Sequence, residues 1–347
     1  MSPKAPLGEE EVIQLLWRTM GRKRDPFNDD VAWTELAKKS RLKNASKRMR
    51  ETNGKLLPLL ISKSDMFVSG TDLPKRMTTR QAALKSITAA VSDFAAKGAR
   101  PSYFHVSIGL PGDFATVENV RGLGLGFSDA CTIYGLEILG GDINATREDL
   151  VIDCSMYGLA SSIVKRSGAK PGDRVSVSGT FGLQSAGLRL LDGRARASSR
   201  RFERQAVNSV LNPRARLHLG LKIARLITSS TDSSDGLALS LYHLAESSRV
   251  DIEIDTIPLA NGVEGFAHEN ALDPEELGLF GGEEYELVFT HPPDSSPKLK
   301  RMQNGVLEIG RVRTLSQDGS PKVFTTVGGS VKIIPRRGWL HLSSGAR

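Results

Sequence analysis

The sequence predicts a two-domain protein of the α/β (α+β) class. Segments with strand-like alternation and segments with helical periodicity follow one another along the chain without an evident internal repeat. The length of 347 residues is sufficient for two separate hydrophobic cores. A run of turn formers and charges from Lys165 to Asp173 predicts a domain boundary. We therefore expect one domain in residues 1–160 and a second in residues 161–347.

In the first domain, the clearest element is a helix expected from Thr78 to Lys97. Apolar residues recur there at helical spacing, and Gly98 suits the helix end. Asp93 lies at the edge of the apolar stripe, where a carboxylate costs free energy unless a lysine or a metal ion pairs with it. The other predicted elements are helices at 9–20 and 117–134, strands at 56–68, 103–110 and 150–159, and a short buried strand at 136–139 that runs into Gly140-Gly141-Asp142.

In the second domain, the stretch from Thr231 to Leu237 stands at the start of a helix. Its Asp and Ser side chains could simply accept hydrogen bonds from the free backbone N–H groups there. Alternatively, Asp232 and Asp235 could hold cations while Ser234 meets a phosphate. The other predicted elements are strands at 174–178, 250–255 and 331–334, helices at 181–191 and 214–226, and a glycine turn at 281–282 that leads into a strand.

Composition is that of an ordinary globular protein, with 39% hydrophobic and 25% charged residues. No apolar run approaches the roughly 18 residues that a membrane span requires, and the N-terminus lacks the apolar core of a signal peptide. The two cysteines, Cys131 and Cys154, fit neither a disulfide framework nor a zinc site. We therefore expect a cytoplasmic protein.

The net charge of +8 raises the question of nucleic-acid binding. The segment 34–53 contains seven basic and two acidic residues, but no aromatic residue that could stack on bases. A solvated basic face or a mobile insertion is the favoured interpretation. Attraction of polyphosphate substrates is the second interpretation, and RNA binding is the third.

Aspartates beside small or turn-forming residues are the main candidate functional groups: Asp29, Asp72, Asp93, Asp142, Asp232 and Asp235. The chain contains no Walker-type phosphate loop, no paired histidine spacing for zinc and no GxSxG sequence. Carboxylates without His or Cys are typical ligands of hard cations such as Mg²⁺. Mg²⁺ held by acids in turn favours chemistry on phosphates.

The chain resembles the PurM-like ATP-dependent enzymes and, within them, the thiamine-monophosphate kinase family. The resemblance extends over nearly the whole chain, in the family order. The matching stretches are NDDVA at 28–32, SGTD at 69–72, SDFAAKGARP at 92–101, GGD at 140–142, RSGAKPGD at 166–173, DSSDGL at 232–237, GGEEYEL at 281–287 and GW-H at 338–341.

This resemblance implies a two-domain PurM-like fold, with a mixed sheet in the N-terminal domain, and a homodimer formed through the strands of that domain. It implies several Mg²⁺ ions bound by Asp29, Thr71, Asp72, Asp93, Asp142, Asp232 and Asp235, among which Asp142 and Asp235 are the catalytic candidates. It implies ATP contacts from Gly141, Asp142, Arg166 and Ser234. It also implies contacts to thiamine monophosphate from Glu283 and Trp339.

The predicted activity is phosphorylation of thiamine monophosphate by ATP through direct in-line transfer assisted by several Mg²⁺ ions. An AIR-synthase-like cyclo-ligase acting on a phosphorylated small molecule is the alternative, and a nucleotide- or RNA-binding protein is a less favoured one. The chain departs from the family pattern at Asn28 and Glu284, and it lacks the family's His-Phe after Asp72. Lys75 or Arg76 could replace that histidine, or the substrate could differ.

Overall fold

The computed structural model describes residues 9–19, 29–35, 59–302 and 305–339. The basic segment predicted at 34–53 lies, apart from its first two residues, outside this part of the chain, as do Asn28 and His341. Two mixed sheets carry the described chain, so the α/β class predicted from the sequence is confirmed.

The elements of the first part of the chain are α1 (Glu9–Thr19), β1 (Ala32–Glu35), β2 (Leu59–Val68), α2 (Ser69–Asp72), α3 (Thr79–Ala96), β3 (Pro101–Pro111), α4 (Val117–Tyr134), β4 (Glu137–Thr146) and β5 (Val151–Ala160). The first sheet has the strand order β1-β2-β5-β3-β4, in which β3 and β4 are parallel and the other neighbours are antiparallel. The long helix α3 begins with a capping box at Thr78, and α4 ends at Gly135 in the left-handed conformation.

The elements of the second part of the chain are β6 (Arg174–Val177), α5 (Leu183–Leu191), α6 (Arg200–Leu211), α7 (Leu217–Ile223), β7 (Ser229–Asp232), α8 (Leu237–Ser248), β8 (Asp251–Ile254), α9 (Val263–Glu269), α10 (Pro274–Phe280), β9 (Leu287–His291), a 3₁₀ turn (Pro293–Ser295), α11 (Ser296–Lys300), β10 (Leu307–Arg313), β11 (Val323–Val327) and β12 (Ser330–Ile333). The second sheet has the order β12-β11-β8-β10-β6-β9-β7, with β8 and β11 parallel and the other neighbours antiparallel.

One hydrophobic cluster runs through the junction of the two sheets. It includes Ile87 and Phe94 of α3, Ile223 of α7 and Phe289 of β9, all fully buried. α7 packs so closely on α3 that a Cβ atom at Gly220 would collide with the carbonyl oxygen of Ala95. This tight contact positions the end of α3 against the second sheet, where the candidate site lies.

One local expectation is wrong. The strand predicted as short and buried at 136–139 is a ten-residue strand, β4, that is exposed along nearly its whole length, because it forms the edge of its sheet. Residues 69–72, directly after β2, form the short helix α2. Among the described residues, the structure contains no helix with the length and apolar character needed to span a membrane.

Candidate active site

Three buried carboxylates, here called the acidic triad, form the centre of the site. Asp30 precedes β1, Asp93 lies near the end of α3, and Asp232 is the last residue of β7. Carboxylate oxygens of the three residues all lie within 4.8 Å of one another. The triad therefore joins one edge of the first sheet, its long helix and an edge strand of the second sheet.

Two cations hold the first member of the triad in its charged form. The fully buried ammonium of Lys97 lies 2.5 Å from Asp30 Oδ2 and 2.6 Å from Asp29 Oδ1. Arg166 Nε lies 2.5 Å from Asp30 Oδ1, which also accepts a hydrogen bond of 2.9 Å from the Thr231 hydroxyl. Burial raises the pKa of Asp30, but Arg166 and Lys97 outweigh it and lower this pKa below its usual value.

The other two members of the triad are harder to ionise. Burial is the main cause that raises the pKa of Asp93, and the charge of Asp232 adds to it, although Lys63 opposes both from 2.9 Å away. Burial and the neighbouring Asp30 raise the pKa of Asp232 to about 6. Without a cation, these two carboxylates therefore take up a proton at a higher pH than an ordinary aspartate does.

The donor set around the triad fits a hard divalent cation. Asp65 lies near the triad, and its charge also raises the pKa of Asp93. Asp29 Oδ2 is a buried oxygen without a hydrogen-bond partner in the described structure. The carboxylates thus outnumber the cationic side chains, and oxygen ligands of this kind are those that Mg²⁺ prefers. The acidic groups are Asp29, Asp30, Asp65, Asp93 and Asp232, and the cationic groups are Lys63, Lys97 and Arg166.

A second charged group, here called the Lys85 bridge, connects α2, α3 and the loop before β9. The ammonium of Lys85 donates a hydrogen bond of 2.8 Å to the carbonyl oxygen of Asp72 and forms an ion pair with Glu283. Burial raises the pKa of the Tyr285 phenol, and the charges of Glu283, Asp72 and Asp232 raise it further. The Tyr285 N–H also donates a hydrogen bond of 2.9 Å to the carbonyl oxygen of Ser233, next to Asp232, so the Lys85 bridge lies beside the acidic triad.

Backbone hydrogen bonds connect three loops of the second sheet beside the Lys85 bridge. The Glu283 N–H donates to the carbonyl oxygen of Ser234 at 2.5 Å, and the Trp339 N–H donates to that of Asp235 at 3.0 Å. Glu283 and Tyr285 have φ angles of 66° and 52°, a left-handed conformation that is unfavourable for residues other than glycine. Backbone strain of this kind is concentrated at functional sites.

The Asp232–Asp235 stretch does not cap helix α8 with its side chains. Gly236, at φ 112°, occupies the N-cap position, and no side chain caps the helix. The carbonyl groups of this stretch instead bind the Glu283 and Trp339 loops. The interpretation of these residues as a plain helix cap is therefore wrong.

Gly141 and Asp142 lie apart from the acidic triad. Asp65 of β2 is in register with Cys154 of β5, Cys154 with Val106 of β3, and Val106 with Gly141 of β4. Three strand spacings of about 4.8 Å place Gly141 about 14 Å from Asp65. Because side chains alternate along a strand, Asp142 projects from the opposite, open face of the sheet. Within one chain, Asp142 does not join the triad.

The remaining metal-ligand candidates have local partners. Asp72 Oδ2 accepts a 2.7 Å hydrogen bond from the Val68 N–H, and the exposed Thr71 donates to the carbonyl of Val68 at 3.3 Å. Both residues lie in α2, directly after β2. Asp72 is linked to the site through its main-chain carbonyl and Lys85.

Comparison with known proteins identifies the family. Residues 55–160 match the model of the AIR synthase related protein, N-terminal domain. A thiamine-monophosphate kinase from Nitrosopumilus maritimus is 35% identical over 312 residues, which are 89% of this chain and 91% of that protein. The chain belongs to the thiamine-monophosphate kinase family. Another relative of that name, from Pyrococcus abyssi, is 36% identical over 82% of this chain and 87% of its own length.

The fold of this thiamine-monophosphate kinase family member is also that of its relatives. A solved structure of AaThiL complexed with AMPPCP and TMP has a TM-score of 0.81 and 30% sequence identity, and the match covers 98% of this chain and 100% of that one. The PurM-like architecture expected from the sequence is therefore confirmed.

Several residues that the structure brings into the site were not selected from the sequence. Two adjacent acids do not reveal which one faces the interior, and the resemblance implies Asp29 rather than its neighbour Asp30. Lys63 and Asp65 follow Ile61 at steps of two residues along β2 and precede Phe67 by the same step, which places them on the inner face of the strand with these two buried residues. The two-residue spacing that signals their inward position is visible in the sequence.

Proposed function

We propose that this chain transfers the γ-phosphoryl group of ATP to the phosphate of thiamine monophosphate, producing thiamine diphosphate and ADP. The convergence of Asp30, Asp93 and Asp232 beside Arg166 and the Lys85 bridge is the observation that supports this activity in a member of the family. The solved relative described as a complex with AMPPCP and TMP supports the same pair of substrates.

Mg²⁺ is the metal that this donor set would hold. The acidic triad with Asp65 would provide the inner carboxylates, and Asp29, Asp72 and Asp235 are the neighbouring oxygen donors. When bound, Mg²⁺ would offset the negative charge of the two phosphate-bearing substrates. Arg166 is placed to contribute positive charge at the same location, since its guanidinium already lies against the triad.

The acceptor requires little activation by the protein. A phosphate monoester has a second pKa of about 6 and is therefore an anionic nucleophile at neutral pH. Catalysis would then come from alignment of the two substrates and from electrostatic stabilisation, which favours direct in-line transfer. Ser234, whose carbonyl group positions Glu283, lies on the loop between the triad and the acceptor residues and is a candidate contact for ATP.

Glu283 and Trp339 would recognise the cationic end of thiamine monophosphate. The Trp339 side chain is half exposed, and its indole face could therefore stack on a positively charged ring. Such a cation–π contact contributes about 0.5–2 kcal/mol, depending on solvation. The Glu283 carboxylate lies on the adjoining loop and supplies the complementary charge.

We also propose a homodimer formed through the first sheet. The edge strand β4 exposes Ile138, Leu139 and Ile143, which are 47%, 52% and 68% accessible. An open edge with apolar side chains favours pairing with a second copy. The roles in catalysis and ATP binding predicted for Gly141 and Asp142 depend on such a dimer, because they lie far from the triad of their own chain. Ile143→Asp should then yield monomers in analytical ultracentrifugation and reduce turnover.

The direct test is an assay with ATP, Mg²⁺ and thiamine monophosphate that separates the products. The kinase activity yields thiamine diphosphate and ADP without free phosphate, whereas a cyclo-ligase would release phosphate. Asp232→Asn should abolish turnover, with Asp318→Asn at an exposed surface as the matched control. Release of phosphate without thiamine diphosphate would overturn the proposal. The cytoplasmic location expected from the sequence remains a prediction.

A further inference from the structure

A cavity of about 520 Å³ lies at the junction of the two sheets, on the segments that link them. Its wall includes the end of β5, the linker at 161–167, the turn after α3 and the segment after α7. Lys97 contributes to this wall, while its ammonium group is bound to Asp29, Asp30 and the carbonyl of Ser230. The cavity therefore adjoins the acidic triad but is separated from it by a buried ion pair.

The lining of the cavity is strongly cationic. Arg100, Lys165 and Arg225 line it, and none of the described residues in its wall is an Asp or a Glu. Arg100 and Arg225 are exposed, and neither has an ion-pair partner in the described structure. Like charges that line one cavity without carboxylates raise the free energy of the protein unless an anion neutralises them.

The cavity is also preformed. At Gly98, with φ +60°, the chain approaches Ala224 so closely that a Cβ atom would collide with the Ala224 side chain. Arg100 follows this contact by two residues and Arg225 follows it directly, so the contact holds the two arginine-bearing segments together. Lys165 is fixed on the third side, where its ammonium lies 5.5 Å from the centroid of the Trp33 ring and its carbonyl accepts the Ser230 N–H at 3.0 Å.

We infer that this cavity is a second anion site, which binds a small phosphate-bearing molecule. Its volume lies in the range typical of small-molecule sites. Arginine side chains bind phosphate oxygens through paired N–H groups. Hydroxyl groups of Ser161 and Ser162 in the linker offer further donors. The inference does not depend on the proposed kinase activity, since none of the cationic side chains that would hold the anion belongs to the proposed catalytic machinery.

The test uses inorganic pyrophosphate as the probe, titrated calorimetrically into the full chain without divalent metal. Under these conditions the carboxylates of the acidic triad repel the probe, and we expect binding to be confined to the basic cavity. The double variant R100Q/R225Q should weaken binding at least tenfold. The matched control R201Q/R204Q, which removes two exposed arginines of α6, should bind as the unchanged chain does. Equal unfolding temperatures would show that the variants are folded.

Three outcomes would overturn the inference. The first is equal pyrophosphate binding by the unchanged chain and R100Q/R225Q. The second is displacement of metal-free pyrophosphate by AMPPCP to the same extent in the unchanged chain and in R100Q/R225Q, which would assign the probe to the nucleotide site. The third is binding of a mixed-sequence RNA oligonucleotide that is tighter than that of pyrophosphate and is lost in R100Q/R225Q, which would make this surface a nucleic-acid site with a steep dependence on salt.

Discussion

Replacement of Lys85 by methionine tests whether the Lys85 bridge positions the acceptor side of the site. Lys85 is 3% exposed, and it holds the carbonyl of Asp72 from one sheet unit and the carboxylate of Glu283 from the other. Methionine retains most of the side-chain length but removes the charge and the hydrogen bonds. We expect the KM for thiamine monophosphate to rise more than kcat falls, because Glu283 would lose its fixed position.

The size of the expected increase in KM follows from the solvent exposure of Lys85 and Glu283. A hydrogen bond to a charged group contributes about 1.5–3 kcal/mol. The Glu283 side chain is 25% exposed, so water can replace part of the lost interaction and the lower end of this range applies. A loss of about 1.5–2 kcal/mol corresponds to an increase in KM of about 10- to 30-fold.

A double-mutant cycle makes this prediction refutable. KM and kcat are measured for Lys85→Met, Glu283→Gln and the combination, with Lys222→Met on the surface of α7 as the control. If Lys85 acts through Glu283, its replacement should have little further effect once Glu283 is already neutral. Lys85→Arg, which keeps the charge, should restore part of the affinity. Strictly additive effects of the two single replacements would refute the reasoning.

Three further predictions concern stability. Mg²⁺ should raise the unfolding temperature because it binds the folded state, with a stabilisation of about 2.7 kcal/mol at a concentration 100 times its Kd. In a thermal-shift assay, Asp232→Asn should remove this increase in unfolding temperature, and an unchanged increase would contradict the metal assignment. Burial raises the pKa of Glu284 from 4.5 to about 8, so between pH 4.5 and pH 8 the folded chain keeps a proton that the unfolded chain releases. The free energy of unfolding should therefore fall by about 1.4 kcal/mol per pH unit over this range. Denaturant unfolding at several pH values should show this pH dependence, and Glu284→Gln should remove most of it. Gly98→Ala should destabilise the protein by about 2–4 kcal/mol, because it adds overpacking against Ala224 to the cost of the left-handed backbone. Gly135→Ala, with φ +68° and open space around its Cβ position, should cost only about 1–2 kcal/mol. Equal losses of stability in the two variants would be evidence against the close contact between Gly98 and Ala224.

Periodicity predicted the elements best where one face of a long segment is buried. The helix 117–134 has the predicted bounds, and the helix at 78–97 differs by one residue at each end. The same reasoning failed for β4: Ile138 and Leu139 predict a buried strand, but both are exposed, as is Ile143 further along β4. They are exposed because a strand at the edge of a sheet has no neighbour on one side, and local sequence contains no information about which strand takes the edge.

Some residues of the site can be predicted from local sequence, and others cannot. Asp93 stood out from the sequence because a carboxylate on an apolar helix face requires a partner, and the structure provides Lys63. The choice between Asp29 and Asp30 was not accessible, since it depends on which way the chain turns as it enters β1. Lys85 was also not selected, because an isolated lysine in a helix gives no sign that it is buried.

The sequence by itself determined the family, the α/β class, the main helices and a set of acids whose chemistry suits a hard cation. These features follow from residue type and local spacing, because side-chain volume, charge and backbone preference determine local structure directly. Only the tertiary structure decided that Asp30, Asp93 and Asp232 converge, that Lys85 joins the two units, and that Asp142 lies on the opposite face of its sheet. Those distances depend on strand order and on the packing of α3 against α7, which bring together residues that are as much as 202 positions apart in the chain.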